Sequence, residues 1–180
     1  MAETKQVRLC GLAGQGIVLA GTILGHAAIH DGKWVTGSSS YGAAARGGNC
    51  YSDVIISDQP IIFPHVLRAD VLVVMSQKAY AAYFALVNRE NGVVIFDRRL
   101  VSIQNVTTLE QVAVSATDLA INELGNKQVA SMIMLGALTR ITKLVSKDAL
   151  ISAIERNVAK RFTELNVKAA ELGFRRSAEK

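Results

Sequence analysis

A glycine-rich turn lies near the start of the chain, between two apolar segments of different periodicity. Before it runs Val7–Cys10, a short apolar segment typical of a strand, and after it comes Ile17–Ile29, with apolar residues at helical spacing. The turn reads Gly11-Leu-Ala-Gly-Gln-Gly16. A strand, a glycine-rich turn and a helix in this order direct backbone N–H groups at the helix start toward an anion. The segment therefore predicts an anion-facing edge on an α/β protein.

Strand and helix patterns alternate along most of the remaining chain. The expected strands are Val7–Cys10, Trp34–Thr36, Tyr51–Ser57, Val71–Met75, Val93–Phe96 and Val112–Val114. The expected helices are Ile17–His30, Gln77–Asn88, Ser115–Leu124, Lys127–Thr142, Ser146–Lys160 and Thr163–Leu172, the last closed by Gly173. We therefore predict one α/β domain over residues 1–180, with a mostly parallel, doubly wound (Rossmann-like) sheet and a helical C-terminal segment. In such sheets, ligands bind beyond the carboxyl ends of the strands.

A second glycine-rich segment, expected as a loop over Gly37–Gly48, follows the second strand. Its end reads Ser40-Tyr-Gly-Ala-Ala-Ala-Arg-Gly-Gly48, which sets one arginine beside two glycines. Glycines allow close backbone approach, so the guanidinium can reach a phosphate or carboxylate. Both segments follow strands and are expected to meet at one edge of the sheet. The candidate ligand-facing residues are Gly11, Gly14, Gln15, Gly16, Tyr41, Gly42, Arg46, Gly47 and Gly48, with no catalytic residue and no metal ligand among them.

Two of these residues have alternative interpretations that need no ligand. Arg46 could pair with an acidic residue of a partner subunit, with Gly47-Gly48 only shaping a turn. Tyr41 could be a buried tyrosine whose hydroxyl makes one hydrogen bond. The sequence leaves these alternatives open.

The first turn also resembles a dinucleotide-binding turn, which makes a stand-alone nucleotide-binding module one alternative function. Its spacing is G-x-x-G-x-G, however, where the dinucleotide fingerprint is G-x-G-x-x-G. About 20 residues further on, where an acidic residue would hold a ribose, only His30-Asp31 is polar. The spacing therefore disfavours NAD binding.

The cysteines and histidines form no recognisable metal pattern. Cys10 is expected to be a buried apolar residue, and Cys50 to be inert or to lie near the second loop. A disulfide between them is not expected in a reducing compartment. His26 and His30 share a helix face, which admits a zinc pair, but a solvated helix face accounts for them without a third ligand. Asp53 and Asp58 read as strand-end and turn residues.

Composition and charge limit the classes of function. Half of the 180 residues are apolar and the mean hydropathy is +0.26, which favours a subunit that buries surface in a complex. No apolar run approaches the ~20 residues that span a bilayer, and the polar start lacks a signal-peptide core, so we expect a cytoplasmic protein. The net charge of +5 favours acidic or phosphorylated partners. Basic residues are scattered without interleaved aromatics, which disfavours nucleic acid.

Several motifs in combination resemble one enzyme family over nearly the whole chain. Beside the two glycine-rich segments, the matching stretches are Ser52–Asp58, Ala69–Leu72, Met132–Ala137 and Asn166–Gly173. Together they resemble the gamma subunit of 2-oxoacid:ferredoxin oxidoreductases. The Tyr-Gly…Arg-Gly-Gly form is more similar to the 2-oxoglutarate (KorC-type) branch than to the pyruvate branch. Ala13 departs from the family pattern, which usually has glycine there.

The resemblance implies a role in a multisubunit oxidoreductase that decarboxylates a 2-oxoacid, transfers the acyl group to coenzyme A and reduces ferredoxin. The implied partners are alpha, beta and ferredoxin-like (delta) subunits, with ferredoxin as electron acceptor. In this family, thiamine diphosphate is held mainly by the alpha and beta partners. We expect it, together with Mg and the iron–sulfur clusters, in partner subunits. This chain is expected to be inactive alone, to bind none of them by itself, and to line part of the coenzyme A approach.

The same resemblance leaves the substrate open. 2-Oxoglutarate is the first interpretation, and indolepyruvate or pyruvate are the alternatives. The high apolar content also predicts that the isolated chain associates with itself.

Overall fold

A six-stranded sheet forms the centre of the protein, which we describe from a computed structural model over residues 4–41, 48–104 and 108–177. The strands, in chain order, are β1 Thr4–Leu12, β2 Trp34–Tyr41, β3 Asn49–Ser57, β4 Val71–Val74, β5 Val93–Asp97 and β6 Glu110–Val114. Their spatial order is β2-β3-β1-β4-β5-β6. Because β3 is antiparallel to β1 and β2 while all other pairings are parallel, only β3 runs against the rest. The predicted mostly parallel α/β fold is confirmed.

Helices lie on both faces of the sheet, as the doubly wound prediction requires. They are α1 Ile17–His30, α2 Gln77–Tyr83, α3 Ala116–Asn122, α4 Ala130–Thr142, α5 Lys147–Asn157 and α6 Lys160–Arg176. Short 3₁₀ helices cover Phe84–Leu86 and Lys127–Val129. Buried residues of α1 and α3–α6 share one apolar core with one face of the sheet, and α2 shares a second core with the other face.

Local chemistry accounts for where several elements begin. All four residues of β4 are buried, as expected of a central strand covered on both faces. Ser76 and Ser146 begin α2 and α5 as N-caps, each accepting a hydrogen bond from the N–H three residues later. Asp31 at the end of α1 also accepts hydrogen bonds from the Ser146 N–H and hydroxyl, which ties α1 to α5.

The structure corrects several predicted boundaries. β2 continues to Tyr41, so the first five residues of the predicted Gly37–Gly48 loop are strand. The helix predicted over Gln77–Asn88 ends at Tyr83 and passes into a 3₁₀ turn, and the one predicted from Lys127 begins as a 3₁₀ turn. Among the described residues, no helix is both long enough and apolar enough to cross a membrane.

Gly173 does not end the last helix, as its residue type predicted, but lies inside α6 at a close helix crossing. A Cβ atom added at Gly173 would overlap the backbone carbonyl oxygen of Ile133 in α4. Gly136 in α4 makes the reciprocal contact, since a Cβ there would overlap the carbonyl oxygen of Ala170 in α6. The two glycines let the helix backbones touch, which explains why α6 tolerates a glycine in its interior.

We therefore predict that Gly173→Ala lowers the free energy of unfolding by about 1–3 kcal/mol, because the backbone must shift to admit a methyl group. Helix propensity alone would make the same change stabilising by about 1 kcal/mol. Gly25→Ala is the matched control: Gly25 is also buried inside a helix, but its added Cβ would lie 3.4 Å from a Val35 methyl group, an ordinary van der Waals contact. Urea titrations of both variants measure the difference, and equal stability would contradict the close-crossing account.

Candidate ligand site at the carboxyl edge

The glycine-rich turn connects β1 to α1 at the carboxyl edge of the parallel strands. Gly14 and Gly16 adopt positive φ angles of 94° and 77°, which residues with side chains rarely adopt. The Gln15 N–H donates to the Leu12 carbonyl oxygen at 3.1 Å, closing the turn. Gly16 is the N-cap residue of α1, and because it has no side chain, it does not cap the first N–H groups of the helix.

Gln15 holds the turn in place from inside the protein. Its Oε1 accepts a hydrogen bond from the Leu12 N–H at 2.7 Å, and its Nε2 donates to the Met75 carbonyl oxygen at 2.8 Å. Met75 directly follows β4, the parallel neighbour of β1. Both ends of the amide are therefore used to fasten the turn to the next strand. Gln15 acts in this site by positioning the backbone.

The three glycines of the turn are required for different reasons. A Cβ on Gly11 would overlap Gln15 Oε1, and one on Gly16 would lie 2.7 Å from the Ser131 hydroxyl oxygen in α4. Those two positions are filled by the protein's own packing. A Cβ on Gly14 would have no atom within 4 Å, and Gly14 is exposed. Gly14 is therefore the point of the turn where a ligand can approach the backbone.

A cavity of about 340 Å³ opens beside Gly14. Its lining combines the turn with residues from the start of α3 and from the 3₁₀ turn before α4: Leu12, Ala13, Gly14, Gln15, Met75, Thr117, Lys127, Gln128 and Ala130. Lys127 is exposed, and within the described residues no hydrogen bond or ion pair engages its ammonium group. The Thr117 hydroxyl is used internally, donating to buried Asp97 at 2.7 Å. The cavity thus offers backbone and one cation to an anionic group.

The second glycine-rich segment ends at the same edge. Gly48 accepts a hydrogen bond from the Ala13 N–H at 3.1 Å, so it directly contacts the first turn. Tyr41 ends β2, paired with Cys50 of β3, and 66% of its surface is exposed. The interpretation of Tyr41 as a buried tyrosine is wrong. Gly42, Arg46 and Gly47 lie outside the described residues. The six described candidates all lie on β1, β2 or the turns at this edge.

Lys127 is the residue that sequence reasoning missed. The sequence predicts Lys127 only as the start of a helix, because it is far from both glycine-rich segments in the chain. One feature of the sequence could have indicated Lys127: it directly follows Gly125 and Asn126, which are predicted to end the preceding helix. Its place beside Gly14 depends on how α4 packs against the turn, which the contact between Gly16 and Ser131 reflects.

The cysteines are buried on opposite faces of the sheet. Cys10 belongs to the core under α2 and donates to the Val73 carbonyl oxygen at 3.3 Å, whereas Cys50 belongs to the core under α1. Burial raises the pKa of both thiols above the ordinary value. Both are free thiols, and the prediction that Cys10 is buried is confirmed. Residues on opposite faces do not fit one iron–sulfur cluster.

The remaining polar candidates are explained without a ligand. The prediction that Asp53 is a strand-end residue is wrong. It lies inside β3, buried and paired with Arg8. Asp58 is exposed, 4.0 Å from the Lys33 ammonium. His26 and His30 are exposed on α1, and the described ranges contain no group of three or more His, Cys, Asp or Glu residues arranged to hold a metal.

We predict that Gln15→Ala lowers the free energy of unfolding by about 1–3 kcal/mol, because the Leu12 N–H and the Met75 carbonyl lose a partner in a partly buried place. Gln128→Ala is the matched control, since Gln128 lines the same cavity with an exposed side chain and should change stability by less than about 0.5 kcal/mol. Chemical denaturation compares the two. A Gln15→Ala protein as stable as the control would mean that the amide does not hold the turn.

Comparison with known proteins gives a consistent match. The family model described as pyruvate ferredoxin/flavodoxin oxidoreductase matches residues 6–176. The 2-oxoglutarate synthase subunit KorC of Methanocaldococcus jannaschii is 43% identical over 173 residues, covering 94% of this chain and 92% of that protein.

Two solved structures share the fold. The gamma subunit of a keto/oxoacid ferredoxin oxidoreductase from Geobacter sulfurreducens superposes with a TM-score of 0.87 at 34% identity, covering 98% of this chain and 97% of that one. The 2-oxoglutarate:ferredoxin oxidoreductase of Magnetococcus marinus, solved with 2-oxoglutarate, coenzyme A and succinyl-CoA, also gives a TM-score of 0.87. At 17% identity, with 98% of this chain matching 31% of that one, it is similar in fold.

Proposed function

The chain belongs to the pyruvate ferredoxin/flavodoxin oxidoreductase family as a subunit of gamma type, and we propose that its enzyme acts on 2-oxoglutarate. The observation that carries this proposal is the end-to-end similarity to the KorC subunit of 2-oxoglutarate synthase. The Tyr-Gly…Arg-Gly-Gly segment over 41–48 supports the same branch. The enzyme would oxidatively decarboxylate the 2-oxoacid, transfer the acyl group to coenzyme A and pass the electrons to ferredoxin.

Within that enzyme, the contribution of this chain is to hold an anionic group at the carboxyl edge. The exposed Gly14 backbone and Lys127 border one cavity, where a peptide N–H and an ammonium group can meet a phosphate. Coenzyme A supplies such phosphates. Arg46, in the segment between Tyr41 and Gly48, would add a guanidinium to the same group, because both ends of that segment lie at this edge.

The redox and decarboxylation chemistry would belong to the partner subunits. Cys10 and Cys50 do not fit a cluster, so iron–sulfur clusters, thiamine diphosphate and magnesium are proposed for the alpha, beta and ferredoxin-like subunits. An exposed apolar segment over residues 61–67 supports docking to such partners. In the connection from β3 to β4, Ile62 is 96% exposed, Phe63 56% and Leu67 63%. Contiguous apolar exposure of this kind is typical of subunit interfaces.

The test is steady-state kinetics of the enzyme assembled with its partner subunits, following 2-oxoglutarate-dependent ferredoxin reduction. Lys127→Ala and Arg46→Ala each remove a charge-assisted contact worth roughly 1.5–3 kcal/mol. At about 1.4 kcal/mol per tenfold, kcat/KM for coenzyme A should fall on the order of 10–100-fold for each variant. Arg46→Lys should recover only part of the loss, because an ammonium cannot reproduce the guanidinium fork.

Lys33→Ala is the control, since Lys33 lies just before the start of β2, at the end of the strands opposite the carboxyl edge. Its kinetics should equal those of the unaltered enzyme. A contrary result would be an Arg46→Ala chain that assembles poorly with its partners while the complexes that do form turn over normally. That result would assign Arg46 to a subunit interface. Faster turnover of pyruvate or indolepyruvate than of 2-oxoglutarate by the unaltered enzyme would transfer the proposal to that substrate.

A further inference from the structure

The edge strand β2 presents an unprotected row of backbone hydrogen-bonding groups. Within the described residues it pairs with β3 on one side, and its other side forms the end of the sheet. The strand reads Trp-Val-Thr-Gly-Ser-Ser-Ser-Tyr over 34–41, without a charged residue or proline, and its pairing with β3 is continuous, without a bulge. Proteins normally protect edge strands with short length, charges, proline or bulges.

The opposite edge of the sheet is protected in the usual way. β6 has five residues where β2 has eight, and it begins with the exposed carboxylate of Glu110. A short edge strand with a charge resists pairing with another chain. The lack of protection is therefore specific to β2.

The surface beside β2, between this strand and α1, is concave. A groove of about 380 Å³ runs between β2 and α1. Thr22, His26 and Ile29 form one exposed stripe of α1 along this groove, at spacings of four and three residues. The ends of β2 carry exposed aromatic side chains, Trp34 at 54% and Tyr41 at 66%. Covering this edge would bury both apolar rings and backbone groups.

We propose that a second copy of this chain pairs antiparallel with β2, joining the two six-stranded sheets into one continuous sheet. A second copy fits because β2 carries no charge, so the strand can lie opposite itself without like-charge repulsion. A twofold axis at Gly37 or Ser38, the two central residues, keeps each opposed pair on one face of the sheet. With the axis at Gly37, Trp34 lies opposite Ser40 of the second copy; with the axis at Ser38, Val35 lies opposite Tyr41 of the second copy.

The same symmetry brings the helices together. A twofold axis perpendicular to the sheet leaves both α1 helices on one face, flanking the joined strands. The exposed stripe of Thr22, His26 and Ile29 from each copy then faces the other across the groove. The interface is isologous, so it closes as a dimer and leaves the protected β6 edges at its ends.

The experiment is sedimentation equilibrium or multi-angle light scattering of the full chain over a dilution series. The unaltered chain should be a dimer at tens of micromolar. Ser38→Lys places an ammonium group beside the axis in each copy, and should weaken dimerisation at least tenfold. The matched control is Ala113→Lys on β6, which adds the same charge to the other edge and should leave the dimer intact.

Crosslinking gives a second readout that requires no destabilising charge. Cys10 and Cys50 are buried thiols with raised pKa values, so Ser38→Cys supplies a single accessible thiol. A short bismaleimide should link two Ser38→Cys chains and should not link two Ala113→Cys chains. Ser38 is exposed on β2, so cysteine there replaces a hydroxyl of similar size without a new contact.

Three results would overturn the proposal. One is an unaltered chain that stays monomeric over the whole dilution range. Another is a dimer that survives Ser38→Lys but is lost on combining Ile62→Ser with Phe63→Ser, which would assign self-association to the 61–67 segment. The third is a monomeric chain whose Ser38→Lys variant fails to assemble with the alpha and beta subunits, which would assign the β2 edge to a heteromeric interface.

Discussion

A buried ion pair determines how β3 lies against β1, and the candidate site depends on that alignment. Arg8 and Asp53 are directly opposite in the β1–β3 register, with Nε–Oδ1 and Nη2–Oδ2 distances of 2.7 Å. The Arg8 guanidinium also lies 4.6 Å from the ring centre of Tyr51 and 5.0 Å from that of Tyr83. Burial tends to lower the pKa of Arg8, but the Asp53 contact outweighs it and the pKa is raised.

The ion pair contributes more to the alignment of β1 with β3 than to the free energy of unfolding. Desolvation offsets much of the attraction in a buried ion pair, but leaving one charge unpaired is costly. A slip of one residue would send Arg8 and Asp53 to opposite faces of the sheet. The same strand pair ends with Leu12 opposite Asn49, where Ala13 donates to Gly48. The ion pair therefore aligns the two glycine-rich segments at one edge.

The parts of the fold that follow from local pattern were predictable. The helix over Ile17–His30 was predicted with the observed boundaries, because its apolar spacing is bounded by a glycine turn and by Asp31-Gly32. Because glycine commonly ends helices, the sequence predicts that role for Gly173, and only the packing of α6 on α4 explains its place inside the helix. The local pattern predicts a strand-end role for Asp53, whereas the partner that explains its place inside β3, Arg8, is 45 residues away in the chain. Long-range partners are not visible in local patterns.

In the candidate site, too, the features set by local sequence pattern were predictable and those set by tertiary packing were not. The two glycine-rich segments were predicted to meet, since the carboxyl ends of parallel strands share an edge, and Ala13 and Gly48 are in contact. Lys127 was missed because it reaches that edge through the packing of α4. The glycine turn predicts that Gln15 faces a ligand, yet both ends of its amide bind backbone groups. A glycine turn predicts where a ligand can approach, but not which side chains support the turn.

The proposed function requires that this chain contacts an anionic cosubstrate at the carboxyl edge of its sheet. Hydrogen exchange of the assembled enzyme, with and without coenzyme A, tests it most directly. We expect coenzyme A to slow exchange at the amides of residues 13–16 and of Lys127 and Gln128, while the 61–67 segment at the other edge is unchanged. Unaltered exchange at the glycine turn, with protection elsewhere on this chain, would contradict the proposed contact at the carboxyl edge.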